Sequence, residues 1–135
     1  MPSILADADS RGQLQAILSF FQRTAWGSLW DSLGVTERSF AALGLTAKDS
    51  DRAVWRAAQR HDAILVTANR NQDDEESLET VLRAENQPHS LPVVTYGDAQ
   101  RILQDSVYRE RAALRLLEII MDLDRYRGAG RVYIP

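Results

Sequence analysis

The chain has 135 residues, 44% of them hydrophobic and 26% charged. This composition suits one domain, residues 1–135, whose core needs neither disulfides nor structural zinc. The absence of Cys excludes thiolate metal sites, thiol nucleophiles and redox couples. Sixteen basic residues against nineteen acidic ones leave a net charge of −3, which does not suit a nonspecific nucleic-acid coat, because counterion release needs a basic surface.

Apolar runs fall well short of the roughly 20 residues of a membrane span. The start, Met1 to Asp7, carries no basic segment, so a cytoplasmic protein without a membrane partner is expected. Ser3 to Asp9 begins with a short apolar run, read as a strand ending at Asp7, and is followed by a helix over Gln13 to Gln22 with Leu14, Ile17, Leu18 and Phe21 at helical spacing. A second helical stretch holds Trp26, Leu29, Trp30 and Leu33 and ends at Gly34, and Val35 to Phe40 reads as a strand. Asp49 or Ser50 is placed to cap a helix that buries Val54, Trp55, Ala57 and Ala58.

The continuous apolar run Ala63 to Thr67 has the pattern of a strand covered on both faces. A polar loop, Ala68 to Glu76, separates it from a helix over Ser77 to Glu85, and a strand over Val93 to Tyr96 follows Pro88 and Pro92. A short helix is expected over Asp98 to Asp105, a long one over about 107–127 stopped at Gly128, and a last strand over Arg131 to Ile134. Strands alternating with helices predict an α/β fold of three layers, a mainly parallel central sheet flanked by helices.

Open α/β sheets bind ligands outside the carboxyl ends of their strands, and the residues there are polar. Asp7 and Asp9 follow the first strand, Asn69 and Asn71 the Ile64 strand and Asp98 the Val93 strand, while Asp51 opens the Trp55 helix. Clustered carboxylates repel one another unless a cation balances them. Asp7, Asp51, Asp9 and Asp98 are therefore candidate ligands of a hard cation, Mg²⁺ or Mn²⁺. Three of these acids also have a local explanation: Asp51 favours a helix dipole, and Asp9 and Asp98 are placed to cap helices.

The order of these positions, Asp7 after an apolar strand, Asp51 ahead of Val54 and Ala58, then Ile64 to Asn71, resembles the PIN-like nucleases, which include prokaryotic toxin ribonucleases. The resemblance spans roughly the first hundred residues. It implies a divalent-metal-dependent ribonuclease with Asp7, Asp51 and Asn69 in the catalytic positions and RNA as substrate. An antitoxin protein is the implied partner. Asn69 departs from the family pattern, which has an acid there. Asn coordinates through its carbonyl oxygen without adding charge, so metal is expected to bind weakly. Three alternatives stay open: Asp9, Asp73 or Asp98 restores the charge, the site works with weak metal affinity, or catalysis is lost and binding kept.

Arg70 and Asn71, beside Asn69, and Arg52, first of the series Arg52, Arg56 and Arg60, are candidate contacts to RNA phosphates. For the series, an ordinary solvated helix face is the competing explanation. His61 and His89 stand beside strand starts, away from the acids, and give no support to a triad or a His metal site. Phosphate-binding glycine loops are absent, and a receiver domain fits less well, since the Lys expected after its last strand is missing. The three Trp residues are expected in the core. Leu114, Leu116, Leu117, Ile119, Ile120, Met121 and Leu123 cover more than one face of the last helix, which predicts burial on two sides and a homodimer. The rival to the enzyme is a nonenzymatic protein-interaction or RNA-binding module with a structural acid pocket.

Overall fold

The computed structural model describes residues 2–68 and 77–135. Its elements in chain order are β1 (Ser3–Ala6), α1 (Arg11–Gln22), α2 (Trp26–Ser32), β2 (Glu37–Arg38), α3 (Asp51–Arg60), β3 (Ala63–Thr67), α4 (Leu78–Glu85), β4 (Val93–Tyr96), α5 (Ala99–Gln104), α6 (Ser106–Met121) and β5 (Arg131–Ile134), with 3₁₀ turns at Ala41–Leu43 and Leu123–Arg125. The five strands form one all-parallel sheet in the order β2-β1-β3-β4-β5.

Successive strand residues point to opposite faces, and both faces are covered. Ile4, Ala6, Ile64, Val66, Val94 and Tyr96 pack with Leu14, Ile17 and Phe21 of α1 and with α5 and α6. Leu5, Ala63, Leu65 and Val93 pack on the other side with Val54, Trp55, Ala57 and Ala58 of α3 and Leu78, Val81 and Leu82 of α4. The expected three-layer α/β fold is therefore present. Ser50 caps α3 and Ser77 caps α4, each accepting from the backbone N–H three residues on. At the far edge Arg131 ties the layers together, donating to Glu79 Oε1 at 2.6 Å and to Thr95 Oγ1 at 2.8 Å.

Four expectations need correcting. The strand expected over Val35 to Phe40 shrinks to Glu37–Arg38, because Ser39 accepts from Ala42 N–H at 3.1 Å to start a 3₁₀ turn and Phe40 dives into the core with Leu43 and Leu45. The last helix ends at Met121 rather than near 127. Asp122 leaves the helical region (φ −127°, ψ 40°), and the chain turns so that Gly128 donates to Ser90 O at 2.9 Å and accepts from Asn86 Nδ2 at 2.8 Å. Gly128 has φ +81°, and a Cβ there would lie 2.9 Å from the Pro88 carbonyl oxygen, so glycine is required for this approach to β5.

Trp30 stacks on Phe21 with ring centroids 4.7 Å apart and Trp55 is buried, but Trp26 is 40% exposed. The fourth correction concerns the surplus apolar face of α6. Ile120 is only 2% exposed within a single chain. Leu116, Leu117, Ile119 and Ile120 belong to one core cluster with residues of the sheet, α1 and α5, so the chain itself provides most of the second cover. Trp26, Leu29, Leu114 and Met121 are left to line an open apolar groove beside Glu118 and Asp122. Among the described residues no helix is long and apolar enough to cross a membrane.

Candidate functional site

The chain crosses from β1 to β2 on one side of the sheet, whereas β3 leads to β4 and β5 on the other. The topological switch point therefore lies between the carboxyl ends of β1 and β3, where parallel α/β sheets open a ligand crevice. Register pairs Ala6 with Val66, which puts Asp7 beside Thr67. Asp7 N–H donates to Val66 O at 2.9 Å, and the buried Thr67 hydroxyl donates to Asp7 Oδ2 at 2.8 Å. Asp7 Oδ1 accepts from Ala8 N–H at 2.8 Å. Both carboxylate oxygens are thus held from the protein side, and the rotamer is fixed.

The electrostatics at Asp7 are unusual. Burial raises its carboxyl above the ordinary carboxylate range, the Thr67 bond opposes that rise, and the neighbouring charge of Asp9 adds to it. Among the described residues no Arg, Lys or His forms an ion pair with Asp7. Asp9 also reaches the environment of Tyr96, whose phenol is held well above its usual range, by burial first and then by that charge. Among the described residues the buried Tyr96 hydroxyl has no hydrogen-bond partner. Asp7, Asp9 and Tyr96 thus share one electrostatic neighbourhood.

Asp51 reaches the same edge of the sheet by a separate route. Only His61 and Asp62 separate α3 from β3, so the helix must run back along the strand it precedes. Ten helical residues span about 15 Å and five strand residues about 16 Å, which brings the first residue of α3 level with the end of β3. Asp98 also lies at this edge, but its carboxylate caps α5, accepting from Arg101 N–H at 3.2 Å. Asp9 does not cap α1; Ser10 stands at that position and turns its hydroxyl to Val66 O and Asp7 O instead. Asn69, Arg70 and Asn71 lie outside the described residues. So does the acidic run 73–76.

Arg52 forms an ion pair with Glu85 of α4, and Arg56 joins it at 2.7 Å. Their hydrogen bonds and charge, that of Arg56 foremost, hold the Glu85 carboxyl below its usual range. The two arginines therefore tie α3 to α4. A side chain that spacing placed on an RNA-facing stripe already has a partner about thirty residues further on. A hydroxyl ending an otherwise apolar strand is the signal in the sequence that marks Thr67 as the partner of Asp7.

A partly desolvated carboxylate without a cationic partner among the described residues suits a hard divalent ion. Such an ion needs only one or two protein carboxylates, the rest of its shell being water. Among the described residues no group of three or more Asp, Glu, His or Cys is close enough together to hold a metal. Comparison with family models, with curated proteins and with solved structures gives no match to this chain. Fold and site define a parallel α/β protein with a partly desolvated carboxylate at its switch point.

Proposed function

We propose that the chain is a PIN-like, divalent-metal-dependent ribonuclease, weakened by Asn69 at the position of the third acid. One observation carries the reading: a carboxylate held on both oxygens, desolvated and without a basic partner among the described residues, stands at the switch point of a parallel sheet. Asp7, Asp51 and Asn69 would hold Mg²⁺ or Mn²⁺, with Asp9 adding negative charge nearby. When bound, such an ion supplies a water that ionises near neutral pH and positive charge for the phosphate oxygens.

The remaining work falls to the chain's own residues. Thr67 and the Ala8 N–H orient Asp7, and burial of β1 and β3 around them fixes the carboxylate before substrate arrives. Arg70, from the loop after β3, is assigned to the scissile phosphate, and Asn71 to the neighbouring RNA. Arg52 has the lesser role, since it is engaged with Glu85. The reading extends to a cytoplasmic toxin paired with an antitoxin protein, and to self-association through the groove at Trp26, Leu29, Leu114 and Met121.

A nonenzymatic PIN-like module that binds RNA or protein is the second reading. It is favoured by the lack of a three-acid cluster among the described residues. An RNase assay on single-stranded RNA separates the two. The ribonuclease reading expects cleavage in Mn²⁺, none in EDTA, and loss of cleavage in Asp7→Asn. Cleavage that is absent from wild type and from Asn69→Asp alike would replace it with the binding module.

A further inference from the structure

A cavity of about 360 Å³ opens at the carboxyl ends of β1 and β2, lined in part by Ala6, Arg11, Glu37, Arg38 and Ser39. Ala6 immediately precedes Asp7, so this cavity adjoins the candidate site on the side away from β3. We propose that it is an anion subsite in which Arg11 and Arg38 hold a phosphate group of a single-stranded polynucleotide. The proposal rests on the ribonuclease reading only for the identity of the chain that carries the phosphate.

Three features point to an anion. Among the described residues neither the Arg11 nor the Arg38 side chain makes a hydrogen bond or ion pair. Arg52, Arg56, Arg101, Arg115, Arg125 and Arg127 are all bound to acids. Arg60, Arg83 and Arg111 also lack partners, but they stand singly on exposed helix faces, whereas Arg11 and Arg38 converge on one concavity. Glu37, the acid of that lining, forms no ion pair with either arginine among the described residues: its Oε2 accepts from Gln15 Nε2 at 2.7 Å, and its single charge leaves the cavity with a net positive charge.

The surrounding groups favour negative charge as well. Ser39 Oγ accepts from Ala42 N–H, which leaves its O–H to donate. Arg11 is the first residue of α1, whose first turn contains no acid and whose Ser10 side chain makes no cap, so the helix adds its positive end to the two guanidinium charges. Two planar forks suit the oxygens of a phosphate better than a single carboxylate. The volume admits a phosphate with an attached sugar rather than the ion alone. The position next to Asp7 fits a chain running along the carboxyl edge, one phosphate in the cavity and another at the acids.

The test is fluorescence anisotropy of a labelled single-stranded oligoribonucleotide in EDTA, measured across a series of KCl concentrations. Wild type is compared with the double variant Arg11→Gln/Arg38→Gln and with Arg111→Gln. The double variant should bind about tenfold more weakly, with a salt dependence of log K shallower by about 0.7, the value for one single-strand phosphate contact. Arg111→Gln should match wild type in binding, and neither variant should melt below wild type, since the cavity arginines' side chains make no bond within the described protein and their charges oppose the positive end of α1. Equal affinity and slope in wild type and the double variant would overturn the proposal. So would full displacement of the RNA by inorganic phosphate, which would assign the cavity to free phosphate. The two readings fail separately. RNA held through the arginines without cleavage in Mn²⁺ refutes the ribonuclease and keeps the subsite, and Asp7-dependent cleavage unaffected by the double variant does the reverse.

Discussion

Replacing Thr67 by Val deletes the hydroxyl that donates to Asp7 Oδ2 at 2.8 Å while keeping the side chain's shape. Thr67 is fully buried, so no water takes the donor's place. A hydrogen bond to an ionised group is worth about 1.5–3 kcal/mol. At the usual unfolding entropy per residue, a chain of 135 residues shifts its melting temperature by about 3.5 °C per kcal/mol. Thr67→Val should therefore melt about 5–10 °C below wild type by calorimetry at neutral pH. In an Asp7→Asn background the same bond is neutral and worth about 0.5–1.5 kcal/mol, so the swap should cost about 2–5 °C. Because the Thr67 bond lowers the Asp7 pKa, the cost in the wild-type background should also shrink as pH falls and Asp7 is protonated. Equal costs in both backgrounds, or a cost independent of pH, would refute the claim that Thr67 holds a charged Asp7.

Asp7 itself should destabilise the metal-free fold. Burial raises its carboxyl despite the Thr67 bond, with Asp9 adding to the rise, so the ionised form is less favoured folded than unfolded. The stability of the protonated form is fully present below the ordinary carboxylate pKa of about 3.9 and is lost as pH rises through the raised value. Asp7→Asn should thus melt above wild type at about pH 7 in EDTA and lose that advantage near pH 3, by calorimetry; a lower melt at neutral pH would contradict this. Asn69→Asp, outside the described residues, restores a unit of charge worth on the order of a few kcal/mol to a nearby divalent ion at intermediate dielectric. It should tighten Mn²⁺ binding, raise RNase activity and lower the metal-free melt, and unchanged Mn²⁺ affinity would count against Asn69 as a ligand. Light scattering should give a dimer for wild type and a folded monomer for Met121→Glu, whose melt no longer depends on protein concentration. Ile120→Glu should instead fail to fold, because Ile120 is buried within one chain.

Strands with both faces covered were legible in the sequence because continuous apolar runs demand cover on both sides. Ala63 to Thr67 and Val93 to Tyr96 have the same limits in the structure. β2 carries no such signal: its two residues, Glu37 and Arg38, are an acid and a base on an edge strand, and only pairing with β1 makes them extended. The end of α6 was obscured because Leu123 continues the apolar pattern into the 3₁₀ turn. Its surplus of apolar residues pointed to a second cover without saying which, since a leucine buried by α1 reads the same as one buried by another subunit.

For the candidate site residues the local sequence pattern says less. An acid after a strand reads alike whether it is a ligand or a cap, and Asp98 proved to cap α5. Helical spacing put Arg52 and Arg56 on one face, yet their partner Glu85 lies on another helix, beyond the reach of any local pattern. Arg11 and Arg38, far apart in sequence, converge only because β2 pairs with β1 beside the start of α1.

The most direct test of the central claim, that Asp7 anchors a divalent-cation site, is isothermal titration of Mn²⁺ into wild type and Asp7→Asn. Saturable, weak binding by wild type that disappears in Asp7→Asn is the predicted result. The same heats from both proteins, or none from either, would contradict it.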